Sequence, residues 1–248
     1  MKINKGDKLW ILKNKTFWFL ILSLLIFIVN QILMAYKPAC MFLEYYLKYA
    51  SPIISIVSSG FFIALLVYFC TVTKPERKQT IDTLAFLLGK YYEMKESVLS
   101  EILIIIGEQG EPKEGEIIHD PIEAKKFFNA GKGKERGFRE YRLLNELTGD
   151  SSLYEDINRH LQNFYVTLNL FTNNPAVIKY DLVSVLSRYT KAISIDHAYI
   201  KNGPEMGGDQ YKPFMRTLYF IFTGYELGTG HTESDYFAIK IKSVINTL

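Results

Sequence analysis

The stretches FWFLILSLLIFIVNQILM, Phe17 to Met34, and PIISIVSSGFFIALLVYFCTV, Pro52 to Val72, decide how this chain is built. Neither contains a charged residue, and each approaches the roughly 20 residues that an α-helix needs to cross the hydrocarbon core of a bilayer. Together they predict an N-terminal two-helix transmembrane hairpin. The rest of the chain then hangs from it as a helical cytoplasmic domain, in an all-α membrane protein.

Charge orients the hairpin, because cytoplasmic flanks collect Lys and Arg. Lys2, Lys5, Lys8, Lys13 and Lys15 flank the first span, and Lys74, Arg77 and Lys78 follow the second. Both termini are therefore expected in the cytoplasm. The intervening residues 35–51 carry only Lys37, Glu44 and Lys48 as charges, with Phe42, Tyr45, Tyr46 and Tyr49 placed for the outer interface. A cleaved signal peptide fits less well: the apolar run is longer than an h-region, and no small-x-small site or lipobox follows it. Cys40 falls outside and Cys70 near the inner end of the second span, so neither a disulfide nor a cysteine metal site is expected.

The net charge of +3 hides an asymmetry. Residues 1–72 hold seven Lys against two acids, while residues 73–248 hold 22 Lys and Arg against 24 acids. The excess is thus a topology signal and gives no ground for a basic nucleic-acid-binding protein. The expected organisation is residues 1–72 as N-terminus and hairpin, 73–106 as a stalk helix and 107–248 as the helical cytoplasmic domain. The cytoplasmic part is long enough for its own core.

Thr73-Lys-Pro-Glu76 has the form of a helix start, with Thr73 as cap and Glu76 closing a capping box. Beyond it, Ile81, Leu84, Leu88, Tyr91, Val98, Ile102 and Ile105 recur at heptad spacing, broken only by Lys95. A stalk whose seam, Leu84, Leu88, Tyr91, Val98 and Ile102, meets its copies in neighbouring subunits would give this pattern. So would an ordinary amphipathic helix packed on its own domain, and three heptads favour that slightly.

Gly107 to Pro121 is acidic and rich in Gly and Pro, as a loop or short hairpin would be. The next segment reverses sign: Lys125, Lys126, Lys132, Lys134, Arg136, Arg139 and Arg142 are interleaved with aromatic residues. Such a cluster can contact phosphate groups or a partner, or simply neutralise the acidic segment before it, which is the simpler expectation. Further on, Asp150-Ser151 opens a helix to about Phe171, and Asn174-Pro175 opens another to near Ile195. A Gly/Pro loop over 201–209 leads to a helix from Gln210 to Leu227, and Ser234 to Leu248 closes the chain. Their apolar stripes are core faces.

Catalytic patterns are scarce. His119, His160, His197 and His231 are scattered with no metal-ligand spacing, Gly131-Lys-Gly-Lys134 is not a phosphate loop, and no serine stands in a nucleophile elbow. Adjacent Asp196 and His197 point apart on a helix. No enzyme, metal or cofactor is expected. The spans themselves carry a polar strip, Asn30, Gln31, Ser51, Ser55 and Ser59, with Gly60 and Ala64 beside it. Such residues permit close helix packing and bonds across helices, or line water in an oligomer.

Three stretches, in order, resemble the phage abortive-infection proteins of the AbiC type. Phe86-Leu-Leu-Gly-Lys-Tyr-Tyr-Glu93 resembles their Phe-x-Leu-Leu helix, and Gly133-Lys-Glu-Arg-Gly-Phe138 with Glu146-Leu147 is similar to their Gly-Arg-x-x-Phe segment. Phe214-Met-Arg-Thr-Leu-Tyr-Phe-Ile221 resembles their Tyr-Phe-Arg-x-Leu-Tyr-x-Ile motif, with Arg216 and Tyr219 as its polar members. Phe138 sits one residue late, Met215 replaces an aromatic residue, and the chain stops soon after Tyr236. Two-span effectors of retrons and of cyclic-nucleotide defence systems share the plan, which leaves the trigger open. The resemblance implies an antiphage effector of the bacterial inner membrane, which causes abortive infection by disrupting that membrane once its cytoplasmic domain is triggered or released by a partner. A membrane-tethered sensor or scaffold without pore activity is the alternative. Expected partners are the lipid bilayer, further copies of the chain, and a defence-system protein or nucleoprotein such as a reverse transcriptase with its RNA–DNA; direct nucleic-acid contact stays open.

Overall fold

The computed structural model describes residues 15–35, 45–107, 114–130, 139–200, 211–224 and 234–248. Every regular element among them is helical and no strand occurs. The chain divides into two units, Met1–Asp82 with Asn246–Leu248, and Thr83–Ile245.

In the first unit, α1 (Lys15–Ala35) packs against α2 (Ser51–Tyr68). Their pattern is inverted relative to a helix pair in water. Ser23, Asn30, Ser51 and Ser58 are buried between them, while Leu22, Val29, Ile32, Ile53, Ile56 and Ile63 point outward. Both helices are long and apolar enough to cross a membrane, and few of their described residues are buried. In the same unit, the Arg77 guanidinium donates to the Leu248 carbonyl.

The expected helix start at Thr73 is absent. The wide π-helical turn Phe69–Thr73 runs directly into α3 (Lys74–Ile105), with the Lys74 N–H bonded to the Phe69 carbonyl. Pro75 brings no N–H and crowds the preceding turn, and a turn widened by one residue accommodates such a ring without ending the helix.

The second unit is built on α3. Around it stand α4 (Glu114–His119), α5 (Pro121–Asn129), α6 (Arg139–Gly149), α7 (Ser151–Thr172), α8 (Pro175–Lys179), α9 (Val183–Ile200), α10 (Lys212–Thr223) and α11 (Tyr236–Thr247). Asp120, Asp150 and Asn174 each accept a backbone N–H at the start of α5, α7 and α8, satisfying donors that a helix leaves open. The helix expected from Pro175 to Ile195 is two. Asp181 takes a left-handed conformation at φ 54°, and the Leu182 N–H returns to the Val177 carbonyl at 2.9 Å, so α8 closes and α9 starts afresh. Likewise α10 stops at Thr223, because Gly224 adopts φ 70° and its N–H caps the Phe220 carbonyl; residues 225–227 of the expected helix lie outside the described residues. The expected loop over 201–209 lies outside the described residues.

At the centre of this unit the rings of Tyr91, Phe164, Tyr189 and Phe237 meet, one each from α3, α7, α9 and α11. Their centroids are 4.5 Å apart for Tyr91–Phe237 and 5.0 Å for Tyr189–Phe237. Edge and tilted geometries of this kind suit the charge distribution of aromatic faces. Of the two readings of the heptad spacing, this arrangement matches the helix packed on its own domain rather than the stalk seam. Leu84, Tyr91, Val98 and Ile102 are buried within the chain itself, Leu88 is only half-buried, and Leu87, Met94, Leu99 and Leu103 add a second buried stripe. Heptad spacing describes one side of a helix; α3 is covered on more than one. Replacing Tyr91 by Ala is expected to cost about 3–5 kcal/mol, read as a large drop in the thermal midpoint of the full chain in detergent.

Candidate functional site

Two constellations join residues from distant parts of the sequence, one within each unit. In the hairpin, the hub is Asn30, only 2% exposed. Its amide nitrogen donates to the Ser51 carbonyl at 2.8 Å and the Ser55 hydroxyl at 2.7 Å. Its amide oxygen accepts from the Tyr46 hydroxyl at 3.0 Å and the Ser51 hydroxyl at 2.9 Å. An amide offers about four hydrogen-bonding positions, and all are used here, inside one chain. The predicted polar strip therefore divides. Asn30, Ser51 and Ser55 form the clamp, and Gln31, exposed, reaches Ser55 at 3.1 Å from the outer side. Ser59 is half-buried and bonds its own helix at the Ile56 carbonyl, while Ser58, absent from the predicted strip, takes the buried position. The strip's closed members cannot line water while the clamp holds.

In the helical unit the central group is the residue that broke the heptads. Lys95 is fully buried, and its ammonium lies 3.3 Å from the Asp235 carboxylate, itself 6% exposed. The rings of Tyr91 and Phe222 each lie 5.3 Å from the same ammonium, a further attraction for a cation held away from water. Burial pulls the Lys95 pKa down, Asp235 opposes that shift, and Lys242 adds to it. Asp235 also starts α11, since its other oxygen accepts the Ala238 N–H at 3.0 Å and caps that helix. Beside the pair, the Tyr91 hydroxyl donates to the Ile221 carbonyl at 3.0 Å. The Tyr189 hydroxyl is sealed in without a well-formed hydrogen bond among the described residues. Burial raises both phenol pKa values, with the Asp235 charge adding to each. Lysine, carboxylate and two neutral phenols thus tie α3, α9, α10 and α11 together. The ammonium is wholly enclosed, so this centre fastens helices and offers no open face to a substrate.

The basic segment is put largely to structural use where it is described. Lys126 pairs with Glu123 at 2.6 Å on an exposed face. Arg139 donates to the Phe127 carbonyl at 3.2 Å and lies over that residue's ring, and Arg142 donates to the Ile106 carbonyl. Both arginines meet carbonyls at the ends of α5 and α3, where the helix dipole favours a cation. Lys125 is half-buried, and Lys132, Lys134 and Arg136 lie outside the described residues. In the Phe214–Ile221 stretch, Arg216 is exposed. Tyr219 packs its ring 6.1 Å from Phe128 and accepts from Asn129 at 3.5 Å, which fastens α10 to α5. His119 packs edge-on against Tyr92, and His160 lies 3.7 Å from Glu101. The side chains of Asp196 and His197, and all of His231 and Gly133–Phe138, lie outside the described residues. No group of three metal-ligating side chains occurs among the described residues.

The sequence signal for the buried pair was present: a lysine in a heptad seam is either an error of register or a charge that the fold must answer. Its partner, 140 positions away, left no trace in spacing. Compared with known proteins, the chain matches no family model, no curated protein and no solved structure.

Lys95→Met leaves the Asp235 charge buried alone and is expected to destabilise the unit by about 3–5 kcal/mol. Combined with Asp235→Asn, which keeps the cap acceptor but removes the charge, it should recover most of that loss in denaturant titrations. The raised phenols set a second expectation. A group whose folded pKa is raised holds its full stabilisation below the unfolded value, here about 10, and loses it as pH climbs toward the folded one. Stability plotted from about pH 9 to 11 should therefore fall less steeply for Tyr189→Phe than for the parent chain.

Proposed function

We propose that this chain is a membrane-anchored module of bacterial antiphage defence. The hairpin crosses the inner membrane with both termini in the cytoplasm, and the helical unit serves there as a sensor or scaffold for a defence-system partner. Support for the anchor comes from the apolar outward faces, the Lys-rich flanks and the Asn30 clamp. Support for defence comes from the stretches that resemble the AbiC-type proteins.

The observation that carries the tethering role is the closure of the clamp. Asn30 completes its hydrogen bonds inside one chain, so the side chains of that cluster are not free to line a pore. The burial of the α3 seam points the same way, since that seam is occupied by the chain's own helices. A second role, the membrane-disrupting effector, draws on one observation. Gln31, Gly60 and Ala64 are exposed on the hairpin and Ser59 is half-buried beside them, where association of several copies would place them. Switching a two-state assembly of that kind needs about 5.5 kcal/mol of differential partner binding to move it from 1:99 to 99:1.

Replacing residues 15–73 with an unrelated two-span anchor separates the two. Protection against phage is expected to survive the exchange, with membrane potential unchanged during infection in both strains. Lost protection, with depolarisation only in the parent, would reverse the assignment in favour of the effector.

A further inference from the structure

We infer that the exposed aromatic residues at the two ends of the hairpin are lipid-contacting belts that set its depth, with Trp18 and Tyr68 at the inner edge of the hydrocarbon core and Tyr45 and Tyr49 at the outer edge. The inference rests on the membrane-anchor role proposed above and adds where the bilayer meets the chain. All four side chains are half exposed or more. Each joins an apolar ring to a polar N–H or O–H, the combination that favours the boundary between acyl chains and headgroups.

Spacing selects the bilayer as their partner. Tyr49 and Tyr68 lie on one continuous helix, about 28 Å apart at a rise of about 1.5 Å per residue, against about 30 Å for the hydrocarbon core of a typical bilayer. Every exposed residue between them is apolar or glycine, and on α1 the exposed residues between Trp18 and Gln31 are all apolar. Lys15, Lys48 and Lys74, the nearest charges along the two helices, fall outside this band. Cross-helix contacts level its two edges. The Phe17 ring, next to Trp18, lies 6.5 Å from that of Phe69, next to Tyr68. At the other end Asn30 accepts from Tyr46, and the Tyr45 and Tyr49 rings lie 4.8 Å apart. Gln31, exposed beside Asn30, belongs to the same end, so headgroups and water meet its amide there.

Quenching of tryptophan fluorescence by brominated phospholipids tests the depth, in vesicles whose lipids carry bromine either near the headgroup end of the acyl chain or near its tail end. With Trp10 replaced by Phe, Trp18 reports alone, and its emission should fall about twice as far with the shallow bromines as with the deep ones. In a full chain with Trp10 and Trp18 both replaced by Phe, Tyr49→Trp should behave in the same way. In that background Phe61→Trp, exposed and about 10 Å along the helix from Tyr68, should be quenched more by the deep bromines. Trp18 or Tyr49→Trp that is not quenched more by the shallow set would overturn the belts. The reporter at position 61 keeps the two proposals apart. If it is not quenched more by the deep set, the anchor role falls; a deep reporter at 61 beside an equally deep Trp18 would sink only the belts.

Discussion

A lysine at the centre of a buried helix is costly because it is removed from water, and the carboxylate that answers it organises the helical unit. Asp235 meets Lys95 only because the start of α11 is brought beside α3. Once α11 is there, Phe237 falls among Tyr91, Phe164 and Tyr189, and four helices share one aromatic centre. The pair adds little net stability by itself, because desolvating two ions offsets most of their attraction.

The hairpin uses the same logic with neutral groups. Apolar side chains cover its outside, and where lipid surrounds them they provide no drive for the two helices to find each other. Specific hydrogen bonds must supply the register, and Asn30 with Ser51, Ser55 and Tyr46 does so near one end of the pair. In each unit a residue whose polarity defies its apolar stripe finds its partners far along the chain.

Much of the architecture was legible in order. The two apolar runs, the caps at Asp150 and Asn174, and the periodic stripes of α7 and α11 are local properties, and the structure has helices at each. Errors came where a helix is ended or continued by backbone geometry. Asp181 breaks one predicted helix in two, Gly224 shortens another, and Pro75 fails to break a third because a wide turn absorbs it. Residue type constrains these events only weakly, since each depends on which carbonyl lies near which N–H. Of the candidate site residues, the polar strip was visible as a set, but its division into clamped and outward members was not.

Sequence alone determined that the chain is helical, that two of its helices are apolar enough to cross a membrane, and that its basic residues are unevenly shared. These follow from composition and short-range periodicity, which neighbouring residues carry with them. Tertiary structure alone decided that the apparent stalk is a core helix, that Arg139 and Arg142 close helix ends, and that Lys95 answers Asp235 while Asn30 answers Ser51. A buried polar group is stable only beside a partner that completes its bonds, and which partner arrives is settled by packing across the whole chain, where sequence spacing holds no record.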